Sequence, residues 1–184
     1  AAVYGNYAAC PISEGSIYKS TPINPYGWSK LMTERVIADH CLAHGFRGIS
    51  LRYFNAAGCD PEGGMGCVKD GTHLVTRVVD CTLSGEEIVI NGNDYDTRDG
   101  TCVRDYIHVT DLADAHLEAV CLAESFKRGE HRSYNLGTGR GLTNLEIVQQ
   151  VEAYAGRKLK WRYGPRRAGD PDQLYADPRR FRSE

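Results

Sequence analysis

Tyr26 and Lys30 stand four residues apart in N-P-Y-G-W-S-K, which places them on one face of a helix. A phenol with an ordinary pKa of about 10 is too weak an acid to serve as a base near neutral pH. A fixed ammonium beside it favours the phenolate and lowers that value. A drop of about 3 units corresponds to roughly 4 kcal/mol between the two protonation states. Such a pair can take a proton from a hydroxyl while hydride leaves the same carbon. In 184 residues with 11 tyrosines, roughly a third of one such pair arises by chance, so context must choose. Tyr154 and Lys158 share the spacing, but Gly156 lies between them and ends their helix before a common face forms.

The next candidates bind anions. Arg104 lies in the apolar run V-R-D-Y-I-H-V, where a bare guanidinium needs a partner. Arg166 and Arg167 offer two forks suited to phosphate oxygens, and Asp170 a carboxylate suited to ribose hydroxyls, unless they pair with each other. Asn55 follows a strand, at the carboxyl edge where open α/β sheets bind ligands. Gly137-Thr138-Gly139-Arg140-Gly141 sits between a strand and a helix, but Leu142 occupies the sixth position, where a dinucleotide fingerprint needs Gly or Ala. It reads as a turn. The seven cysteines are odd in number and lack C-x-x-C spacing, and the six histidines are scattered. Neither a disulfide framework nor a metal site is expected, and free thiols fit a reducing compartment.

These residues need a scaffold of alternating strands and helices. Asn24-Pro25 opens a helix, with an apolar stripe at Trp28, Leu31, Met32 and Val36 and a stop at Gly45. Gly48–Phe54 reads as a buried strand, 56–72 as a long glycine-rich loop, Leu74–Leu83 as a helix and Glu87–Ile90 as a strand. The polar run 91–100 reads as a loop, Val103–Val109 as a strand, and Thr110 as the start of a helix buried through Leu112, Ala115, Ala119, Leu122 and Phe126. Ser133–Leu136 is a strand, and Thr143-x-x-Glu146 a capping box opening a helix that ends at Gly156. Lys158–Tyr163 reads as a last strand and 165–184 as irregular. Ala1–Tyr4 reads as the end of a buried strand already under way, and with no initiator Met the chain is expected to be a fragment. The alternation predicts an α/β fold with a parallel sheet.

Composition excludes several classes. Hydrophobic residues make up 41% and charged residues 25%, which is ordinary globular usage. A net charge of −2 argues against nucleic acid as a partner. No apolar run is long enough to span a membrane, and no signal peptide is expected.

Longer motifs carry a resemblance. A-V-Y-G at Ala2–Gly5, N-P-Y-G-W-S-K at Asn24–Lys30, L-R-Y-F-N at Leu51–Asn55, G-N-D-Y-D-T-x-D-G-T-C-V-R-D-Y-I-H-V at Gly92–Val109, Y-N-L-G-T-G at Tyr134–Gly139 and P-R-R-x-G-D at Pro165–Asp170 resemble the UDP-glucose 4-epimerases. These are extended short-chain dehydrogenases/reductases, where Y-x-x-x-K is the proton-transfer pair. The resemblance runs from Ala1 to about Asp177. It implies an α/β fold comprising the C-terminal half of a Rossmann-type parallel sheet and a smaller α/β substrate domain. The N-terminal strands, glycine-rich loop and catalytic Ser would precede Ala1. The implied division places 1–55, with 103–126 returning to it, in the NAD-binding domain, and 56–102 with 127–184 in the sugar-nucleotide domain.

The resemblance also implies roles. Tyr26 would be the base at the sugar 4-hydroxyl, Lys30 its pKa tuner and a ribose ligand, and Tyr53 a nicotinamide neighbour. Asn55, Arg104 and Arg167 would hold the diphosphate and Asp170 the uridine ribose. His73 and Leu74 match a sugar- and phosphate-contacting segment that is often Asn-Asn-Leu in relatives. Val89, Ile90 and Asn91 match a segment flanking the uracil, with Asn91 where an aromatic is common. Leu174 matches the position that gates bulky 2-acetamido sugars. Hydride would pass from C4 of a UDP-sugar to NAD and return to the other face of a 4-keto sugar. A full-length cytoplasmic homodimer is expected, and no activity for the 184 residues alone. Ala1 and Ala2 stand where related dehydratases carry Asp-Glu, so elimination chemistry is not expected. UDP-xylose/arabinose 4-epimerase and a non-catalytic sugar-nucleotide-binding module are the alternatives.

Overall fold

The computed structural model describes residues 1–7, 9–66, 71 and 73–184. After two 3-10 segments, Ala2–Tyr4 and Glu14–Lys19, the order is α1 (Pro25–His44), β1 (Gly48–Tyr53), β2 (Asn55–Ala57), α2 (Leu74–Ser84), β3 (Ile88–Asn91), β4 (Val103–His108), α3 (Val109–Glu124), β5 (His131–Leu136), β6 (Gly141–Thr143), α4 (Asn144–Ala155), β7 (Trp161–Gly164), β8 (Gln173–Leu174) and α5 (Arg179–Arg182).

Parallel pairing dominates, as the alternation predicts. β1 runs parallel to β5 from Gly48↔His131 to Tyr53↔Leu136. The pairing partner changes at Phe54, and β2 pairs parallel with β4. β4 also pairs parallel with β8 and antiparallel with β6. β3 and β7 form a separate parallel pair. Strand β4 is the hub because Val103, Arg104, Asp105 and Ile107 are all buried.

The helix limits follow the local chemistry. Asn24 caps α1 by accepting from the Gly27 N–H at 2.8 Å, Pro25 takes the first turn, and Gly45 leaves in the left-handed region at φ 72°. The capping box of α4 is complete, with Glu146 N donating to Thr143 Oγ1 at 3.0 Å and Thr143 N to Glu146 Oε2 at 2.8 Å. Three apolar clusters form among the described residues. One joins α2, β3 and α4 through Val78, Ile88, Ile90 and Val148. A second joins Val3, Tyr4, Ile12, Phe54 and Ala176. The third packs α3 on β4 and β5 through Leu112, Ala115, Ile107 and Leu136.

Four sequence expectations change. Ala1–Tyr4 buries Val3 and Tyr4 as expected, but as a 3-10 turn rather than a strand end. Tyr4 N bonds Ala1 O at 3.0 Å, so the backbone is satisfied locally. The stripe on α1 does not mark its buried face: Trp28, Met32 and Val36 are exposed and only Leu31 packs on the core. The helix instead seats where its backbone can approach, at Gly27, whose Cβ would lie 2.6 Å from Ala2 O. The expected loop 56–72 begins inside β2, and 67–70 and 72 lie outside the described residues. The tail is ordered: β8 extends the sheet at β4, an Ile12–Ala176 bridge follows, and α5 packs on β5. No helix of the described residues is long and apolar enough to cross a membrane.

Candidate active site

Seven of the predicted residues border one cavity of about 720 Å³. Tyr26 and Lys30 enter from α1, Tyr53 and Asn55 from the β1–β2 step, Arg104 from β4, Asp170 from the segment leading into β8 and Leu174 from β8 itself. Four-residue spacing sets Tyr26 and Lys30 on one face, and the Lys30 ammonium sits 5.3 Å from the Tyr26 ring centroid. The Tyr26 side of the cavity is open, with that residue 63% exposed.

The same cavity is bordered by the anion-binding candidate. Arg104 is 8% exposed. Its Nη1 donates to the Val103 and Pro171 carbonyls, both at 2.8 Å, and Nη2 lies 3.6 Å from Asp170 Oδ1. Two carbonyl contacts anchor the fork but take up only part of its five-donor capacity. Leu174 stands beside it as the β8 residue in register with Arg104. A phenol with its ammonium and a guanidinium–carboxylate pair bordering one cavity suit a ligand that carries a hydroxyl, phosphates and a ribose.

The remaining predicted residues do not line this cavity. Arg167 is exposed in the turn before Asp170, whose N–H donates to the Arg167 carbonyl at 3.2 Å. Its neighbour Arg166 is occupied by Asp94, at 2.7 Å, and by the Tyr95 ring, at 4.1 Å. His73 is exposed at the start of α2. Leu74 packs on the α2–β3–α4 cluster and Ile90 is fully buried inside it. Val89 is half-buried and Asn91 exposed.

The two decoys resolve physically. Tyr154 is 97% exposed, and Lys158, beyond Gly156, pairs with Glu152 at 2.9 Å. In the glycine-rich turn, the N–H groups that would face a phosphate meet the buried Asp105 carboxylate instead. Thr138 N and Gly139 N donate to it at 2.8 and 3.0 Å.

Three charged residues in or next to the site, Glu34, Arg52 and Asp105, were not singled out from sequence. Glu34, which lines the cavity one turn after Lys30, pairs with Arg52, and Asp105 ties β4 to its neighbours. A signal was present for each: Arg52 and Asp105 are charged residues within buried strands, and Glu34 continues the four-residue series from Tyr26. Burial disfavours the Glu34 carboxylate, but the Arg52 hydrogen bond and charge outweigh it and hold its pKa below the ordinary range. Burial pushes the Tyr4 phenol, which accepts from Arg52, up to about 12.

Fold and site together define an α/β protein with a Tyr/Lys pair at a strand-edge cleft. Residues 1–137 match the NAD dependent epimerase/dehydratase family, and the chain belongs to that family. Among its relatives is a UDP-glucose 4-epimerase of Azospirillum brasilense, 45% identical over 186 residues covering 100% of this chain and 52% of the relative. The crystal structure of UDP-glucose 4-epimerase from Brucella ovis in complex with NAD superposes with a TM-score of 0.86 at 47% identity, covering 97% of this chain and 54% of that one. The enzyme from Stenotrophomonas maltophila, with bound NAD and formylated UDP-arabinopyranose, superposes with a TM-score of 0.90 at 34% identity, covering 100% and 55%. The chain thus spans about half the length of the relatives it matches.

Proposed function

We propose that the full-length protein carrying this chain is a UDP-glucose 4-epimerase, interconverting UDP-glucose and UDP-galactose through a 4-keto sugar. The observation that carries the reading is that Tyr26 and Lys30 border the same cavity as Arg104 and Asp170. The relatives named above support the choice of reaction.

A phenol–ammonium pair can supply the acid–base group that hydride transfer to NAD requires at the reacting hydroxyl, and in this respect the cavity fits the cofactor. Tyr26, Lys30 and Tyr53 would hold its nicotinamide end, and when bound it supplies hydride acceptance and return at C4. Tyr26 takes the proton of the 4-hydroxyl and gives it back, and Lys30 stabilises the phenolate. Arg104 and Asn55 hold the diphosphate and Asp170 the ribose, and Arg167, exposed outside the cavity lining three residues before Asp170, is the further guanidinium assigned to the diphosphate in this reading. Anchoring at the nucleotide end leaves the sugar free to present either face to the reacting atoms.

Residues 1–55 and 103–126 are assigned to the cofactor side and 56–102 and 127–184 to the nucleotide side, except that β5 goes with its partner β1. His73, Val89, Asn91 and Leu174 remain nucleotide-side contacts in this reading, whereas the buried Ile90 and the Leu74 packed against it belong to the α2–β3–α4 core. Cysteine usage supports a reducing, cytoplasmic setting, and the exposed Met32, Val36 and Leu42 of α1 offer apolar surface for a homodimer. A UDP-pentose 4-epimerase is the second reading, favoured by the arabinopyranose nucleotide bound in the S. maltophila relative.

Substituting Tyr26→Phe in the full-length protein should lower kcat on UDP-galactose by at least about 100-fold while UDP affinity stays within about twofold. Equal loss of both would reject Tyr26 as the base. Side-by-side turnover of UDP-xylose and UDP-galactose separates the two sugars. The 184 residues alone, with NAD added, should show no turnover.

A further inference from the structure

Helix α1 carries the proposed base, and within these 184 residues few of the contacts that hold it are apolar. Only Gly27 and Cys41 are buried along its 20 residues. On the cavity side it is gripped by a polar cluster. Both Glu34 carboxylate oxygens accept from Arg52, one from Nε at 2.8 Å and the other from Nη2. Ser133 Oγ donates to the same carboxylate at 3.0 Å. The Arg52 side chain is 6% and the Glu34 side chain 12% exposed.

Arg52 is itself immobilised. Its Nη1 donates to the Tyr4 hydroxyl at 2.8 Å and to the Glu14 carbonyl at 3.3 Å, and its guanidinium lies 5.2 Å from the Tyr4 ring centroid. The Tyr4 hydroxyl donates to Asn135 Oδ1 at 2.6 Å, and Asn135 N donates to Glu14 Oε1 at 2.8 Å. The cluster therefore joins α1, β1, β5 and both 3-10 segments. A two-point guanidinium–carboxylate fork is directional, unlike an apolar contact, and fixes rotation as well as distance.

Positions 26, 30 and 34 step by about 40° around a helix and stay within about 80° of arc. A rigid helix clamped at Glu34 is thus clamped in rotation at Tyr26. Turning it by about 10° would move a phenol oxygen roughly 9 Å from its axis by about 1.5 Å. A misplacement on the order of 1 Å at a reacting group costs roughly 100-fold in rate.

We propose that Glu34, gripped by Arg52, is a positioning residue that sets the rotation of α1 and so aims the Tyr26–Lys30 pair at the sugar. The proposal rests on the reading of Tyr26 as the base. It predicts a kinetic role for a buried ion pair that stability alone does not require, since such pairs are often replaced by apolar residues without loss of stability.

Two variants of the full-length protein test it. Glu34→Asp keeps the charge but shortens the reach. Glu34→Met with Arg52→Met removes the fork while filling its volume. Each should lower kcat on UDP-galactose by roughly 30- to 100-fold, leave KM within about threefold and leave UDP affinity by calorimetry within about twofold. A crystal structure of the double variant should show the Tyr26 hydroxyl displaced by about 1 Å or more relative to the Arg104 guanidinium. Either variant turning over within threefold of wild type, or an unmoved Tyr26, overturns the proposal. Failure of both variants to fold would also overturn it, marking the pair as structural only. If the wild-type protein turns over no UDP-sugar, the reaction reading fails, and the Tyr26 displacement still decides the positioning.

Discussion

Asp105 is fully buried and accepts four hydrogen bonds. Oδ1 receives Thr138 N at 2.8 Å and Thr138 Oγ1 at 2.7 Å, and Oδ2 receives Gly139 N and Ala176 N, both at 3.0 Å. The carboxylate thereby staples the 137–139 turn and the residues just after β8 to β4, next to Arg104. Asp105→Asn keeps the shape but turns one acceptor into a donor. The new NH2 group must face the Oδ1 pair, because the Thr138 hydroxyl can rotate to accept, whereas Gly139 and Ala176 offer only N–H donors. Thr138 N then loses its acceptor, at about 1–3 kcal/mol. Its remaining bonds fall from charge-assisted to neutral, a loss of about 1 kcal/mol each. The sum is about 4–6 kcal/mol, a large fraction of an ordinary domain's stability. Urea unfolding of the full-length protein measures it, with hydrogen exchange at Thr138, Gly139 and Ala176 as the local reporter. We expect a lower midpoint, faster exchange at those amides and weaker UDP binding as Leu174 and Asp170 loosen. A change below about 1 kcal/mol with unaltered protection would refute the reasoning.

Gly137→Ala should disturb the same staple, because the new Cβ would lie 2.5 Å from Asp105 Oδ2 and 2.7 Å from Ala176 Cβ; overpacking of this kind costs about 1–3 kcal/mol, readable in the same unfolding titration. Thr143→Ala removes the acceptor for Glu146 N and the partner of Asp99 Oδ2, and should destabilise α4 by about 1–2 kcal/mol by the same measure. Burial pushes Tyr4 and Tyr106 up to about 12, against about 10 in an unfolded chain. The folded state therefore holds protons the unfolded state has released, so stability should be intact below pH 10 and fall between pH 10 and 12. Phenolate absorbance at Tyr4 or Tyr106 that appears near pH 10 without unfolding would contradict this.

Much of the scaffold was legible because it depends on neighbours within one turn. Asn24, Pro25 and Gly45 bound α1, and Thr143 with Glu146 starts α4, through contacts made three or four residues away. The stripe on α1 misled because hydrophobic spacing reports which side chains are apolar, while backbone clearance at Gly27 decided which side approaches the core. The ordered tail was missed because β8 has only two residues and depends on β4, about 70 positions earlier.

The chemistry of the site follows the same division. Residue identity and local spacing were enough to pair Tyr26 with Lys30 and to require a partner for Arg104, since a helical face and a buried charge are local facts. Long-range packing supplied the rest. It brought Asp170 and Pro171 to Arg104, set Glu34 against Arg52, and left Leu74 and Ile90 in a separate apolar cluster. The Arg52–Glu34 and Arg104–Pro171 contacts join residues 18 and 67 positions apart, separations that carry no trace of their meeting, because it is the burial of shared surface that brings them together.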